Sequence, residues 1–219
     1  GDGLREKIRS KMSGFKGHIQ ITKYDANNSD VSVMPISKNQ KFYPTFSNIK
    51  GIKNVQVYAN QVGLIRTKTD FEGIVFKGVS TDYDWTFFKE YLIAGRIPDF
   101  NQKRTRDVLL SKTIVNRLEL QLNDTINVTF FKSKASKLPS NRKLVITGIY
   151  NTGFLEFDKN IMIGDIRQVQ RLNRWNENEV GGFEVILENF DELQQKGTEI
   201  YKEIDATLDA TTIASNYPG

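Results

Sequence analysis

The sequence contains no cysteine and only one histidine among its 219 residues. Without cysteine the chain cannot form a disulfide bond, a thiolate metal site or a cysteine nucleophile. The histidine, His18, has no second histidine with which to bind zinc and no serine nucleophile in a recognised motif. We therefore expect His18 to be a surface or partly packed residue of a strand.

Sequence motifs for enzymatic chemistry are absent as well. There is no phosphate-binding loop, dinucleotide-binding glycine pattern or calcium loop. Two neighbouring pairs of carboxylates remain, Asp82 with Asp84 and Glu156 with Asp158. Paired carboxylates can cleave glycosides, but only when the fold sets the distance between them. We predict that the chain is not an enzyme, with no catalytic residue, no metal and no cofactor.

Long hydrophobic runs are missing too. No stretch of about 18 apolar residues occurs, so the sequence contains no candidate transmembrane helix. The first residues, from Gly1 to Leu4, lack the apolar core of a signal peptide. A domain that lies between two membrane helices of a longer chain would have the same appearance.

The charge of the chain is moderately basic, with a formal net charge of +5. The densest group of basic residues, at 132–143, has no acidic neighbour within it. No aromatic residues alternate with these cations, as a base-stacking surface would require, so we expect no binding of nucleic acid. A mixed solvated surface with a few additional lysines is the simpler interpretation of the overall charge.

Hydrophobic periodicity divides the chain into strands and helices. Alternating or short apolar runs predict strands at 18–22, 55–69, 73–79, 107–110, 126–130, 144–148, 161–163, 183–187 and 211–214. Helical spacing predicts helices at 4–12, 42–49, 83–91, 165–174 and 190–204, the first of them basic and amphipathic. Ser111 is a suitable cap for one more helix directly after it.

The order of these elements predicts an α+β fold with two lobes. Strand–helix–strand units occur near both ends of the sequence, and such units can pair into one ferredoxin-like βαβ-repeat lobe. The intervening segment would form an inserted lobe of mixed α/β structure. The predicted boundaries are 1–16 for a membrane-proximal helix, 17–70 and 178–217 for the βαβ-type lobe, and 71–177 for the inserted lobe.

Six segments, in this order, carry a resemblance to a known family. They are 8–19, 77–79, 92 with 95–98, 107–112, 118–124 and 147–158. Together they resemble the periplasmic domain of lipoprotein-releasing ABC transporter permeases of the LolC/LolE type, within the wider MacB and FtsX-like group. Asn123 stands where that family usually has glycine, and asparagine also tolerates the left-handed conformation of such a turn.

The resemblance implies a porter-type lobe built from βαβ units and an inserted sabre-type lobe. It further implies that the domain lies in the periplasm and is anchored in the inner membrane. Its permease would couple cytoplasmic ATP hydrolysis to the release of lipoproteins and their hand-over to a periplasmic carrier. The implied partners are a separate ATPase subunit, a second permease copy or a paralogue, and the lipoprotein cargo or its carrier.

In LolC-type members a protruding hairpin captures the lipoprotein carrier, LolA, and the matching position here is the tip at 132–143. Its lysines would steer an acidic surface, and its leucine and proline would supply an apolar contact. A plain solvated loop is the alternative interpretation. The candidate contact residues are Lys132, Lys134, Lys137, Leu138, Pro139, Arg142 and Lys143.

Three other functions stay open at the level of the sequence. The chain could be the periplasmic part of a MacB-like exporter that assembles with an outer-membrane tunnel. It could be an FtsX-like domain that activates a cell-wall hydrolase. A secreted glycoside-cleaving enzyme that uses Glu156 and Asp158 is a remote third alternative.

Overall fold

The computed structural model of the protein describes residue 3 and residues 16–24, 31–32, 34–131 and 138–213. The helix predicted over 4–12 lies outside these residues. The strands are β1 (Ile19–Lys23), β2 (Ile36–Ser37), β3 (Ile52–Arg66), β4 (Phe71–Val79), β5 (Leu92–Gly95), β6 (Asp107–Ser111), β7 (Thr125–Phe130), β8 (Ser140–Tyr150), β9 (Ile161–Asp165), β10 (Glu179–Val180), β11 (Gly182–Leu187) and β12 (Leu208–Thr212). The helices are α1 (Thr86–Tyr91), α2 (Lys112–Arg117), α3 (Leu155–Asp158), α4 (Ile166–Asn173) and α5 (Leu193–Glu203).

The sheet formed by both chain ends has the order β12-β1-β11-β3, with every neighbouring pair antiparallel. It follows that β1 and β3 are parallel to each other on either side of β11, and that β11 and β12 are parallel on either side of β1. Helix α5 connects β11 to β12. Two interleaved split units of this kind define a ferredoxin-like arrangement, so the predicted fold of this lobe is confirmed.

The segment at 42–49, predicted to be a helix, is irregular in the structure. Its apolar residues Phe42, Phe46 and Ile49 are nevertheless buried, and the ring of Phe42 meets Phe183 of β11 edge-on at 4.9 Å. The prediction was wrong because helical spacing of apolar residues reports which side chains are buried. An irregular crossover can bury the same side chains without the hydrogen bonds of a helix.

The inserted part of the chain closes the sheet into a ring of six strands. Around this ring β3 pairs with β4, β4 with β9, β9 with β6, β6 with β8, β8 with β7, and β7 with β3 again. Alternate apolar side chains on one face of these strands are buried and fill the inside of the ring. They include Ile65, Phe76, Val108, Val128, Leu144 and Met162.

Strand β3 belongs to both parts of the molecule. Its residues 52–58 pair with β11 of the first sheet, and its residues 63–66 pair with β7 of the ring. The α+β fold therefore has two lobes that share a long strand. The predicted lobe boundaries at residues 70 and 178 stay predictions.

A buried ion pair lies where the two lobes join. Lys77 of β4 places its Nζ atom 2.6 Å from Oε2 of Glu184 on β11, and the two side chains are only 3% and 1% exposed. Gln56 of β3, the strand between them, donates a hydrogen bond to the other carboxylate oxygen at 3.1 Å. Three neighbouring strands are thereby joined through their side chains as well as through their backbones.

The two ends of the described core lie side by side. Strand β1 pairs with β12, so that Ile19 is opposite Thr212, and the backbone N–H of Ile213 donates to the carbonyl of His18 at 2.9 Å. The chain therefore enters and leaves the first lobe at the same place. Among the residues that the structure describes, none of the helices has the length and apolar character needed to cross a lipid bilayer.

Candidate partner-binding surface

The predicted tip emerges from the hairpin of β7 and β8. The two strands are paired from Thr125 and Val145 to Phe130 and Ser140, at the base of the tip. The backbone of the hairpin is therefore fixed up to this base. The candidate residues Lys132, Lys134 and Lys137 lie outside the described residues.

Exposed apolar side chains lie at the base of the tip, on both of its flanking segments. Leu138 is 76% exposed, the neighbouring Pro139 is exposed, and Phe131 on the opposite strand is 47% exposed. Sequence reasoning singled out Leu138 and Pro139 but missed Phe131. The available signal was the alternation through Phe130, which places the next residue on the outward face. The base of the tip thus offers a larger apolar contact than predicted.

The last two candidate residues, Arg142 and Lys143, lie on opposite faces of β8. Lys143 is exposed to solvent, whereas Arg142 is half-buried and its Nη1 donates to the carbonyl of Asn141 at 3.0 Å. Burial lowers the pKa of the Arg142 guanidinium, and the nearby charges of Arg104 and Arg171 lower this pKa further. Sequence reasoning did not connect Arg104 and Arg171 with Arg142.

A basic loop at 96–106 connects β5 to β6 and borders a groove of about 790 Å³. The lining includes Arg96, Lys103, Arg104 and Arg106, together with Val145 of β8. Arg96 is paired with a carboxylate, since its Nη2 atom lies 2.8 Å from Oδ2 of Asp107. The other three cations line the groove as exposed side chains.

The start of helix α4 holds this loop in place. The carboxylate of Asp165, which is buried, accepts hydrogen bonds from the guanidinium of Arg167 at 2.8 Å and from the backbone N–H of Thr105 at 3.0 Å. Arg167 also donates to the carbonyl of Gln102 at 2.8 Å, and Gln168 donates to the carbonyl of Thr105 at 3.0 Å. Several backbone groups of the loop are therefore fixed by one turn of helix.

The acidic pair Asp82 and Asp84 has structural roles. Oδ2 of Asp82 accepts hydrogen bonds from the hydroxyl of Tyr43 at 2.6 Å and from the backbone N–H of Val57 at 2.9 Å. Burial raises the pKa of Asp82, and these two hydrogen bonds oppose the rise. Asp84 accepts from the backbone N–H and the hydroxyl of Thr86 at the start of α1. Both carboxylates are thus bonded to nearby parts of the fold.

The second acidic pair, Glu156 and Asp158, is split between two environments. Asp158 is 3% exposed and accepts hydrogen bonds from the hydroxyl of Thr152 at 2.7 Å and from the backbone N–H of Gly153 at 3.0 Å. Glu156 is exposed, with its nearest ion-pair partner, Lys159, at 3.8 Å. Asp158 therefore fixes the turn before α3, and the two side chains do not share one site.

His18 has the structural position that the sequence predicts. Its Nδ1 atom accepts a hydrogen bond from the backbone N–H of Leu187 at 2.7 Å, and its ring centre lies 5.4 Å from that of Phe190. Burial and, to a smaller extent, the charge of Lys53 lower its pKa to about 4. Within the described parts of the chain, no group of three or more histidines and carboxylates could hold a metal ion.

Other solved structures share the fold of this chain. The periplasmic region of MacB from Actinobacillus actinomycetemcomitans matches with a TM-score of 0.59 and 14% identity, over 96% of both chains. The extracellular domain of the noncanonic ABC-type transporter YknZ from Gram-positive bacteria matches with a TM-score of 0.58 and 14% identity, over 89% of this chain and 99% of that one. This chain has the fold of those transporter domains.

These likenesses confirm the predicted fold class and its two lobes. At 14% identity they are likenesses of fold, and both reference domains are named as extracellular or periplasmic parts of transporters. No protein-family model matches the chain, and no curated protein matches it.

Proposed function

We propose that this chain is the extracytoplasmic domain of an ABC transporter permease. The observation that carries this proposal is the extent of the fold match, because 96% of this chain aligns with 96% of the MacB periplasmic region. A match over nearly the whole of both chains includes both lobes and their connection. In this role the domain binds partners and transmits movement, while ATP is hydrolysed by a separate cytoplasmic subunit.

The adjacent entry and exit of the chain suit such a role. A domain inserted between two membrane helices needs both connections on one side, and His18 and Ile213 are hydrogen-bonded neighbours. A displacement of the membrane helices would then act on β1 and β12, which pair with each other at this place. The shared strand β3 would pass the movement to the ring.

Within this class we propose lipoprotein release of the LolC/LolE type, with the tip as the contact for a periplasmic carrier. Six segments of the sequence support this assignment by their resemblance to that family. The exposed Phe131 and Leu138 at the base of the tip supply an apolar contact, and the exposed Lys143 supplies a positive charge further along β8. A few anchor side chains near the centre of an interface usually contribute most of the binding energy.

Export of the MacB type is the second candidate, and the fold match to MacB favours it. Its partner would be another envelope protein of the exporter rather than a lipoprotein carrier. The two candidates place the same domain on the same side of the membrane, and they differ in what the domain binds.

Calorimetric titration of this domain with the lipoprotein carrier of the same organism tests the proposal. We expect binding that becomes at least about tenfold weaker in the variant Phe131→Ser/Leu138→Ser, since burial of two large apolar side chains contributes more than 1.4 kcal/mol. The matched control is Phe71→Ser, which removes a 63% exposed aromatic residue next to the β3–β4 turn. Absence of binding by the folded wild-type domain would instead favour export.

A further inference from the structure

The chain enters the first lobe against the residue that carries the buried carboxylate. The backbone of Gly17 has a φ of +75°, in the left-handed region. A Cβ atom at this position would lie 3.1 Å from the Cβ atom of Glu184 and 3.2 Å from the carbonyl oxygen of Val185. Glycine at position 17 therefore allows the backbone to take this conformation and to lie directly on Glu184.

The next residue fastens this part of the chain to β11. The backbone N–H of His18 donates a hydrogen bond to the carbonyl of Val185 at 2.8 Å. The Nδ1 atom of His18 accepts a second one from the backbone N–H of Leu187 at 2.7 Å. The entry segment, which we define as residues 16–18, is thereby held against the strand that carries Glu184.

Glu184 in turn reaches across β3 to the ring. Its Oε2 atom lies 2.6 Å from the Nζ atom of Lys77 on β4. The backbone of Lys77 is part of the ring, because β4 pairs with β9 and Lys77 lies opposite Ile163. Contacts therefore lead without a break from Gly17 through Glu184 and Lys77 to β4 and β9.

A buried ion pair is suited to pass on a displacement. Apolar contacts are non-directional, so apolar side chains can slide past each other at little cost. Separation of Lys77 from Glu184 would take two buried charges away from each other, which is strongly unfavourable. Well-packed apolar residues of similar volume are often as stable as such a pair, so stability alone does not account for its presence.

We propose that the entry segment is mechanically coupled to the ring through Glu184 and Lys77. In the proposed permease, a shift of the preceding membrane helix would displace Gly17 together with Glu184, and Lys77 would follow with β4 and β9. This route runs through side chains, in addition to the backbone of β3. It rests on the proposed function only for the source of the movement, because the coupling itself belongs to the fold.

NMR spectroscopy of the whole 219-residue chain tests the coupling. The variant Gly17→Ala places a Cβ atom against Glu184 and so displaces the entry segment relative to β11. We expect the backbone amide signals of residues 75–78 in β4 and 161–164 in β9 to shift, because Lys77 moves with its partner. Amide signals report the local native structure and therefore separate this effect from a general loss of stability.

The matched control is Gly51→Ala. Gly51 also lies in the first lobe and has a φ of +79°, so alanine causes the same kind of backbone strain there. Its Cβ atom would meet the side chains of Glu192 and Lys196 at 3.3 Å instead of Glu184. We expect the signals of 75–78 and 161–164 to stay in place in this variant.

The background Lys77→Met/Glu184→Leu separates the side-chain route from the route along β3. In this background Gly17→Ala should still shift the amide signal of Val185, but it should no longer shift those of β4 and β9. Gly17→Asn repeats both comparisons with less backbone strain, because asparagine tolerates the left-handed region and still carries a Cβ atom.

Three results would overturn the proposal. The first is that the signals of β4 and β9 stay in place in both Gly17 variants. The second is that they shift equally in the background without the ion pair, which would assign the coupling to β3. The third is that Gly51→Ala shifts them as much as Gly17→Ala does. None of these measurements involves a transport partner, so the coupling and the proposed function can fail separately.

Discussion

At the scale of single residues, the buried pair of Lys77 and Glu184 joins the two lobes. Burial lowers the pKa of Lys77, and the adjacent carboxylate of Glu184 opposes this effect. The rings of Tyr58 and Tyr83 lie 5.8 Å and 5.5 Å from the ammonium nitrogen and add cation–π attraction. The carboxylate and the two rings therefore stabilise the ammonium group of Lys77 against the effect of burial.

The variant Glu184→Gln should lower the free energy of unfolding at pH 7 by about 3–5 kcal/mol, because it leaves a buried ammonium group without its counter-charge. The loss should shrink as the pH rises toward 10, where the lysine of the unfolded chain also becomes neutral. Urea unfolding at several pH values measures both effects. A control, Lys77→Met/Glu184→Leu, should recover most of the stability because it buries no charge.

His18 makes the stability depend on pH in the acidic range. Its pKa is about 4 in the folded chain against an ordinary value of 6.5, so the unfolded chain binds the proton more tightly. The contribution of His18 to the free energy of unfolding is therefore fully present above pH 6.5 and is lost as the pH falls toward 4. We expect it to amount to roughly 1–2 kcal/mol, given the partial exposure of the ring.

The comparison with His18→Gln isolates this contribution from that of the carboxylates. Glutamine can still accept the hydrogen bond from Leu187 but does not titrate. The difference in unfolding free energy between wild type and variant should change between pH 6.5 and 4 and be constant above. A difference that is constant over the whole range would show that His18 is not held neutral by the fold.

At the scale of elements, the first turn of α4 connects helix, loop and groove. The side chain of Asp165 caps the helix, because its Oδ1 atom accepts a hydrogen bond from the backbone N–H of Arg167 at 2.9 Å. Its Oδ2 atom accepts a second hydrogen bond from the backbone N–H of Thr105. The same residue thus ends a ring strand, begins a helix and fixes a loop. Sequence reasoning predicted the strand and the helix on either side of Asp165 but had no signal for the loop.

Asp165→Asn should release the loop without unfolding the chain. The variant keeps the size of the side chain but removes the charge that pairs with Arg167, at a cost of about 2–3 kcal/mol for charge-assisted hydrogen bonds in a buried site. Hydrogen exchange should become faster at the amide of Thr105. The amide of Ile114 at the start of α2 serves as the control and should exchange at the wild-type rate. Equal protection of Thr105 in both proteins would contradict this role.

At the scale of the whole molecule, the shared strand β3 should make the two lobes unfold together. Its pairing with β11 and with β7 means that neither lobe can lose its sheet without disturbing the other. Urea unfolding followed by tryptophan fluorescence and by circular dichroism should give one coincident transition. Two separate transitions would show that the lobes are independent folding units.

The sequence by itself determined most of the elements and the character of several residues. Alternation predicted the strands of the ring, and Ser111 was correctly identified as a helix cap, since it accepts the N–H of Ile114 at 3.2 Å. The structural role of His18 also followed from the sequence. These are local properties, because periodicity and capping depend on neighbours within a few residues.

Only the tertiary structure decided the closure of the ring, the irregular crossover at 42–49 and the buried ion pair at the junction of the lobes. Lys77 and Glu184 lie 107 positions apart in the sequence and meet only through the pairing of β4 with β3 and of β3 with β11. Phe131 became a candidate contact only when its exposure was known. Local patterns cannot predict such features, because they depend on pairing and packing between residues distant along the chain.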